Sequence, residues 1–193
     1  MSRNACGLFT LCLLAGVASA PCDAAAQPNP VIVIRVEIAN ALNGVNLIRA
    51  QQLTAAIYEK AGVTLDWTTD AAASSRSLTI VLTSISTMPA GLVPEAMGVA
   101  PSPGDGSRGS TAYVFMDRVT SFVSAYRVAR EYVLACALAH EIGHLLLPPN
   151  AHAADGIMRG NWYPALFPPR APGILGFTPE QAQLLRLRAQ SRQ

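Results

Sequence analysis

The sequence predicts an α+β domain, on three observations. Strand-like and helix-like periodicities alternate along the chain, a glycine- and proline-rich segment interrupts them near the middle, and a long apolar helical run follows that carries the histidines. Alternation of this kind favours a sheet with crossover helices packed on it. At 193 residues the chain suits one domain with a real core and is short for two.

Residues 1–26 read as a secretory signal. Arg3 forms a short positive region, residues 8–17 are apolar, and Ala24 and Ala26 satisfy the small-x-small rule for cleavage. The apolar run falls well short of the ~20 residues that span a bilayer, so no stable membrane insertion is expected. Pro21 disfavours lipid anchoring through Cys22. The expected product is a secreted or periplasmic monomer comprising residues 27–193 as a single domain. Processing removes Cys6, Cys12 and Cys22, leaving Cys136 in the run YVLACALAH, where a small buried hydrophobe is expected.

The elements follow in order. VIVIRVEI (31–38) places Ile32, Ile34, Val36 and Ile38 on one face and Arg35 and Glu37 on the other, the period of a strand. Over residues 46–61, Ala50, Leu53, Ile57 and Ala61 recur at three and four, predicting a helix ended by Gly62. VTLDW (63–67) and LTIVL (78–82) alternate again and predict two strands. The density of glycine and proline over residues 88–110 excludes a central strand and predicts a loop, with a short edge strand near 97–100. Such a loop is either a surface connection or the rim of a cleft. TAYVFM (111–116) predicts a further strand, and residues 126–147 a long helix. In FTPEQAQLLRLRAQ, Thr178 caps a last helix, Pro179 suits its first turn and Gln181 completes a capping box.

Charged residues make up 13% of the chain and the net charge is +2, so there is no basic stripe to follow a nucleic-acid backbone. Chemistry concentrates in HEIGHLLLPPNAH (140–152), which contains all 3 histidines. On a helix, His140 and His144 lie about 40° apart and one turn along, so both imidazoles reach one ion. Glu141 sits about 100° from His140, placed to address a metal-activated water without ligating. Leu147 precedes Pro148, which ends the helix and turns the chain back. His152 lies in that return and is the preferred third ligand, with Asp155 and the more distant Glu180 as alternatives. An open, histidine-rich site suits catalytic Zn2+, whose fourth position takes water.

HEIGHLLLPPNAH followed by GIM (156–158) resembles the metzincin clan of zinc metalloendopeptidases, including its matrixin and archaemetzincin branches. The longer spacing is similar to that of secreted bacterial proteins. The resemblance implies His140, His144 and His152 as zinc ligands, Glu141 as general base and Met158 as the methionine under the metal. It also implies a zincin fold: a mixed twisted sheet with two helices in an N-terminal subdomain, and a small C-terminal subdomain ending in a helix. Leu147 stands where the clan pattern has glycine, and His152 comes eight residues after His144 instead of six. The resulting expectation is a zinc-dependent endopeptidase acting on a peptide or protein substrate. The alternative is a secreted zinc-containing binding module with little or no catalysis, its site closed by a fourth protein ligand such as Asp155. Arg159, Trp162 and Tyr163 are candidates for lining the cleft.

Overall fold

The structure, a computed structural model, describes residues 28–39, 44–72, 77–84, 86, 96–103, 108–167 and 175–192. The expected signal segment and its three cysteines lie outside the described residues. Among the described residues the chain forms an α+β arrangement with a mixed five-stranded sheet and four α-helices.

The first strand, β1 (Val31–Ile38), buries Ile32, Ile34 and Val36 as its alternation predicts. Ile38 shares their face but is 52% exposed, because the strand runs past the edge of the core there. On the opposite face Arg35 pairs with Glu37 and donates to the Thr79 hydroxyl at 3.2 Å. Asn46 caps α1 (Leu47–Lys60) by accepting from the Arg49 backbone N–H, and Gly62 leaves the helix at φ +78°, a conformation costly for a residue with a Cβ. The chain then enters β2 (Thr64–Thr68), parallel to β1, completing a strand–helix–strand crossover.

Next come β3 (Leu78–Thr83), β4 (Gly98–Val99) and β5 (Thr111–Phe115), and the sheet order is β2-β1-β3-β5-β4. Every pairing is parallel except that of β4 with β5. The edge strand expected near 97–100 is therefore present, and it runs against the rest of the sheet.

The helical region after β5 differs from the expected single run over 126–147. Two helices occupy it, α2 (Met116–Tyr126) and α3 (Arg130–Leu146), separated where Arg127 adopts the left-handed conformation at φ 53° and caps α2 by donating to the Val123 carbonyl. Three helices thus precede the C-terminal part where two were expected. Leu147 is extended at ψ 163° ahead of Pro148, the conformation that proline imposes on its predecessor.

In α3, 13 of 17 residues are buried, so the helix is enclosed rather than amphipathic. Helix α1 packs along it, with the Thr54 hydroxyl donating to the Ala135 carbonyl at 3.3 Å and the Tyr58 hydroxyl to the Ala139 carbonyl at 3.0 Å. Burial of Tyr58 keeps its phenol well above its ordinary pKa, so it remains a donor. The last helix, α4 (Pro179–Gln190), begins with the predicted capping box between Thr178 and Gln181. Its buried residues Ala182, Leu185 and Ala189 join the same continuous core as the sheet and α3. No helix among the described residues is long and apolar enough to cross a membrane.

Candidate metal centre

Helical spacing brings His140 and His144 onto one face of α3, and the return after Pro148 brings His152 up to them. Nε2 of His144 lies 3.0 Å from Nε2 of His140 and 3.1 Å from Nε2 of His152. The ligating nitrogens of all three lie within 4.8 Å of one another. Zn–N bonds of roughly 2.0–2.1 Å at tetrahedral angles would separate the nitrogens by about 3.3 Å, close to the two separations from His144.

Protonation makes the case for a cation sharper than distance does. Nδ1 of His140 lies 2.8 Å from the Ile157 carbonyl, which can only accept, so Nδ1 carries the proton and Nε2 presents a bare lone pair. Nε2 of His144 has one hydrogen at most and two imidazole nitrogens before it, so it cannot satisfy both. Burial, with weaker repulsion from the other imidazoles, lowers the pKa of His144 to about 4, and burial does the same for His140. Both rings are thus neutral at pH 7, and convergent lone pairs are stabilised by a positive ion. A histidine whose second nitrogen donates to a backbone carbonyl has the oriented, fixed tautomer that a metal ligand needs. The donor set fits zinc.

The loop carrying His152 is held from two sides. Asn150 turns the chain at φ 60°, Gln181 of the α4 capping box donates through Nε2 to the Ala151 carbonyl at 3.0 Å, and Ala153 N–H donates to the Met158 carbonyl at 3.0 Å. Asp155, the alternative ligand, is 89% exposed and pairs with Arg159 at 3.4 Å, outside the histidine cluster. Glu180 is exposed in the first turn of α4 and also lies outside it.

Met158 is fully buried against α3. A Cβ on Gly143 would stand 2.5 Å from its sulfur, so the glycine of HEIGH is what lets the methionine lie against the helix beside His144. This role was not read from the sequence, although a glycine in the interior of a buried helix signals a close approach.

Glu141 is 5% exposed, and its Oε2 has no hydrogen-bond partner. Burial raises its pKa to about 8. Against it lies Gly98 of β4, where a Cβ would stand 2.7 Å from Oε1 and 2.5 Å from the Tyr113 carbonyl oxygen. The edge strand therefore rests on the carboxyl group, a contact available only to glycine.

These residues line one cleft of about 570 Å³. Residues 96–100 form part of its wall, so this part of the glycine- and proline-rich segment is a rim rather than a remote connection. Trp162 sets its ring at 88° to that of His140, with centroids 5.6 Å apart, and Arg159 lies over the Tyr163 ring at 5.1 Å. Cys136 is fully buried in α3, and burial pushes its thiol up to about 12, so it is the inert hydrophobe expected. Compared with known proteins, the chain matches no family model and no curated protein, and the functional reading therefore rests on this geometry.

Proposed function

We propose that the protein is a zinc-dependent endopeptidase of the metzincin type, acting on peptide or protein substrates after export from the cell. The observation that carries the reading is the convergence of three imidazoles in one cleft with a buried carboxyl group and a sheet edge. The antiparallel edge strand beside the active-site helix and the methionine packed under that helix support the metzincin assignment.

His140, His144 and His152 would hold zinc through Nε2, with His140 oriented by the Ile157 carbonyl. Bound there, zinc supplies a Lewis acid that polarises a carbonyl and lowers the pKa of water to about 7. Glu141 takes a proton from the attacking water at a carboxylate oxygen and passes it to the departing amine. Its burial favours the protonated form, and a neighbouring positive charge favours the ionised one, so the carboxyl group is poised between the two states that proton transfer requires. Among the described residues β4 is the last strand of the sheet, and its outer edge would offer backbone groups to an extended substrate. A closed, purely structural site would leave the cost of burying Glu141 without a return.

The test is digestion of a diverse quenched-peptide library by the zinc-loaded protein and by a Glu141→Gln variant with the same zinc content. Cleavage confined to the unaltered protein is the expected result. Equal cleavage by both, or none by either at full zinc occupancy, sinks the peptidase reading.

A further inference from the structure

Three elements meet at Gly98, and the position is closed to any side chain. Strand β4 is held along one edge by β5, with Gly98 opposite Val114, Val99 opposite Tyr113, and the Phe115 N–H donating to the Met97 carbonyl at 2.7 Å. Against it lies Glu141 of α3. A Cβ on Gly98 would stand 2.7 Å from both Cγ and Oε1 of Glu141 and 2.5 Å from the Tyr113 carbonyl oxygen, whereas carbon–carbon contacts settle at about 3.5–4.0 Å. Beyond the strand, Arg108 donates through Nε to the Leu147 carbonyl at 3.0 Å, so the same segment is tied to α3 a second time, at the end of the helix.

Oε2 of Glu141 has no hydrogen-bond partner and the residue is 5% exposed, so packing rather than a hydrogen bond at that oxygen fixes the carboxyl group. The helix supplies one side of that packing, and the backbone of β4 at Gly98 supplies the other. The strand and the carboxyl group are therefore separated by the thickness of a glycine. An extended peptide paired with the outer edge of β4 takes its depth in the cleft from that strand, so its distance from Glu141 is set at the same contact.

Resting on the peptidase reading, we propose that Gly98 is a positioning residue: by omitting a side chain it seats the substrate-bearing strand directly on the general base and sets the distance between the scissile bond and the Glu141 carboxylate. A methyl group there moves strand and carboxyl group apart by about 1 Å, the difference between this close approach and an ordinary contact. Misplacement of that size costs on the order of 100-fold in rate with every reacting group still present. Because the peptide moves with the strand to which it is paired, its binding changes little. The loss falls on kcat and not on KM, the pattern of an interaction realised only in the transition state.

The experiment compares Gly98→Ala with the unaltered protein, both zinc-loaded, in steady-state cleavage of the best peptide from the library. Melting temperatures of the metal-free unaltered protein, Gly98→Ala, Glu141→Ala and the double variant complete a cycle. The expected result is kcat lowered about 100-fold, with KM within about threefold and zinc content unchanged. In the cycle, Gly98→Ala lowers the melting temperature of the unaltered protein by more than it lowers that of Glu141→Ala, because truncation of the carboxyl side chain removes part of the overlap. Unchanged kcat, a rise in KM that accounts for the whole loss, or additive melting shifts overturns the positioning role. If Gly98→Ala does not fold, recovery of the folded protein in the double variant upholds the contact with Glu141. Failure of both to fold assigns the glycine to the Tyr113 carbonyl alone and overturns the role. No cleavage by the unaltered protein at full zinc occupancy is a different failure: it overturns the peptidase, and with it any part of this contact in catalysis.

Discussion

The histidines on α3 and the histidine on the return loop reach the same point by different physical means. His140 and His144 stand on an enclosed helix, partly buried, with the angle between them fixed by the helical repeat. His152 is exposed and depends on a chain reversal, a left-handed Asn150, and hydrogen bonds from Gln181 and to Met158. The first pair is preorganised by secondary structure and the third ligand by tertiary contacts. A loop ligand can therefore be loosened by changes in the contacts that hold it, whereas the helical pair keeps its relative angle as long as the helix itself stands.

Direct replacement has the largest effect. His140→Ala or His144→Ala lowers zinc affinity by more than the ~100-fold that loss of a hydrogen-bond partner of a ligand can cost, and His152→Ala lowers it less, as read by competition with a chromophoric chelator. Equal losses at all three positions would remove the distinction between helix and loop. Gly143→Ala strikes the helical pair through its support. Helix propensity alone would gain about 1 kcal/mol, but the new methyl would stand 2.5 Å from the Met158 sulfur, and overpacking of this kind costs about 1–3 kcal/mol. A lowered melting temperature, partly restored by adding Met158→Ala, is expected. A rise would mean that the sulfur moves freely.

Gln181→Ala tests the loop from outside the cluster. Its amide bridges α4 to the Ala151 carbonyl, so its loss should weaken zinc binding about tenfold, with the helix-borne base untouched. Unchanged affinity would show that the loop holds His152 without α4.

The smallest effect is the pH dependence of the metal-free protein, and its signs oppose. His140 and His144, lowered to about 4, release protons on folding between about pH 4 and the ordinary histidine value of 6.5, so their contribution to stability is lost as pH falls through that window. Glu141, raised to about 8, takes up a proton on folding above its ordinary value of 4.5, so its contribution is lost as pH rises toward 8. Two groups outweigh one below 6.5, and Glu141 acts alone above it. Chemical denaturation across this range should place maximal stability near pH 6.5, and Glu141→Gln should remove the decline on the alkaline side.

The same contrast explains what was legible in the sequence. β1 and α1 follow from periodicity because each has one face in the core, and α4 follows from the Thr178 and Gln181 cap. The helix α2 was missed although Val119, Phe122, Val123 and Tyr126 recur at three and four. Only Val119 among its residues is fully buried, and the strand-like TAYVF runs into it without a capping side chain, so no stop or start signal marks the boundary. His140, Glu141 and His144 were legible because a helix converts sequence spacing into angle. His152 was favoured by its place after the Pro148 turn, but Gly98 and the Ile157 carbonyl were invisible, since contacts made across the sheet edge and between distant turns leave no local periodicity.

The most direct test of the central claim is X-ray absorption at the zinc edge of the metal-loaded protein. The account predicts one zinc bound by three imidazole nitrogens and a single oxygen from water, falling to two imidazoles in His152→Ala. A fourth protein ligand on the zinc, or a set of ligands unchanged by His152→Ala, would contradict it.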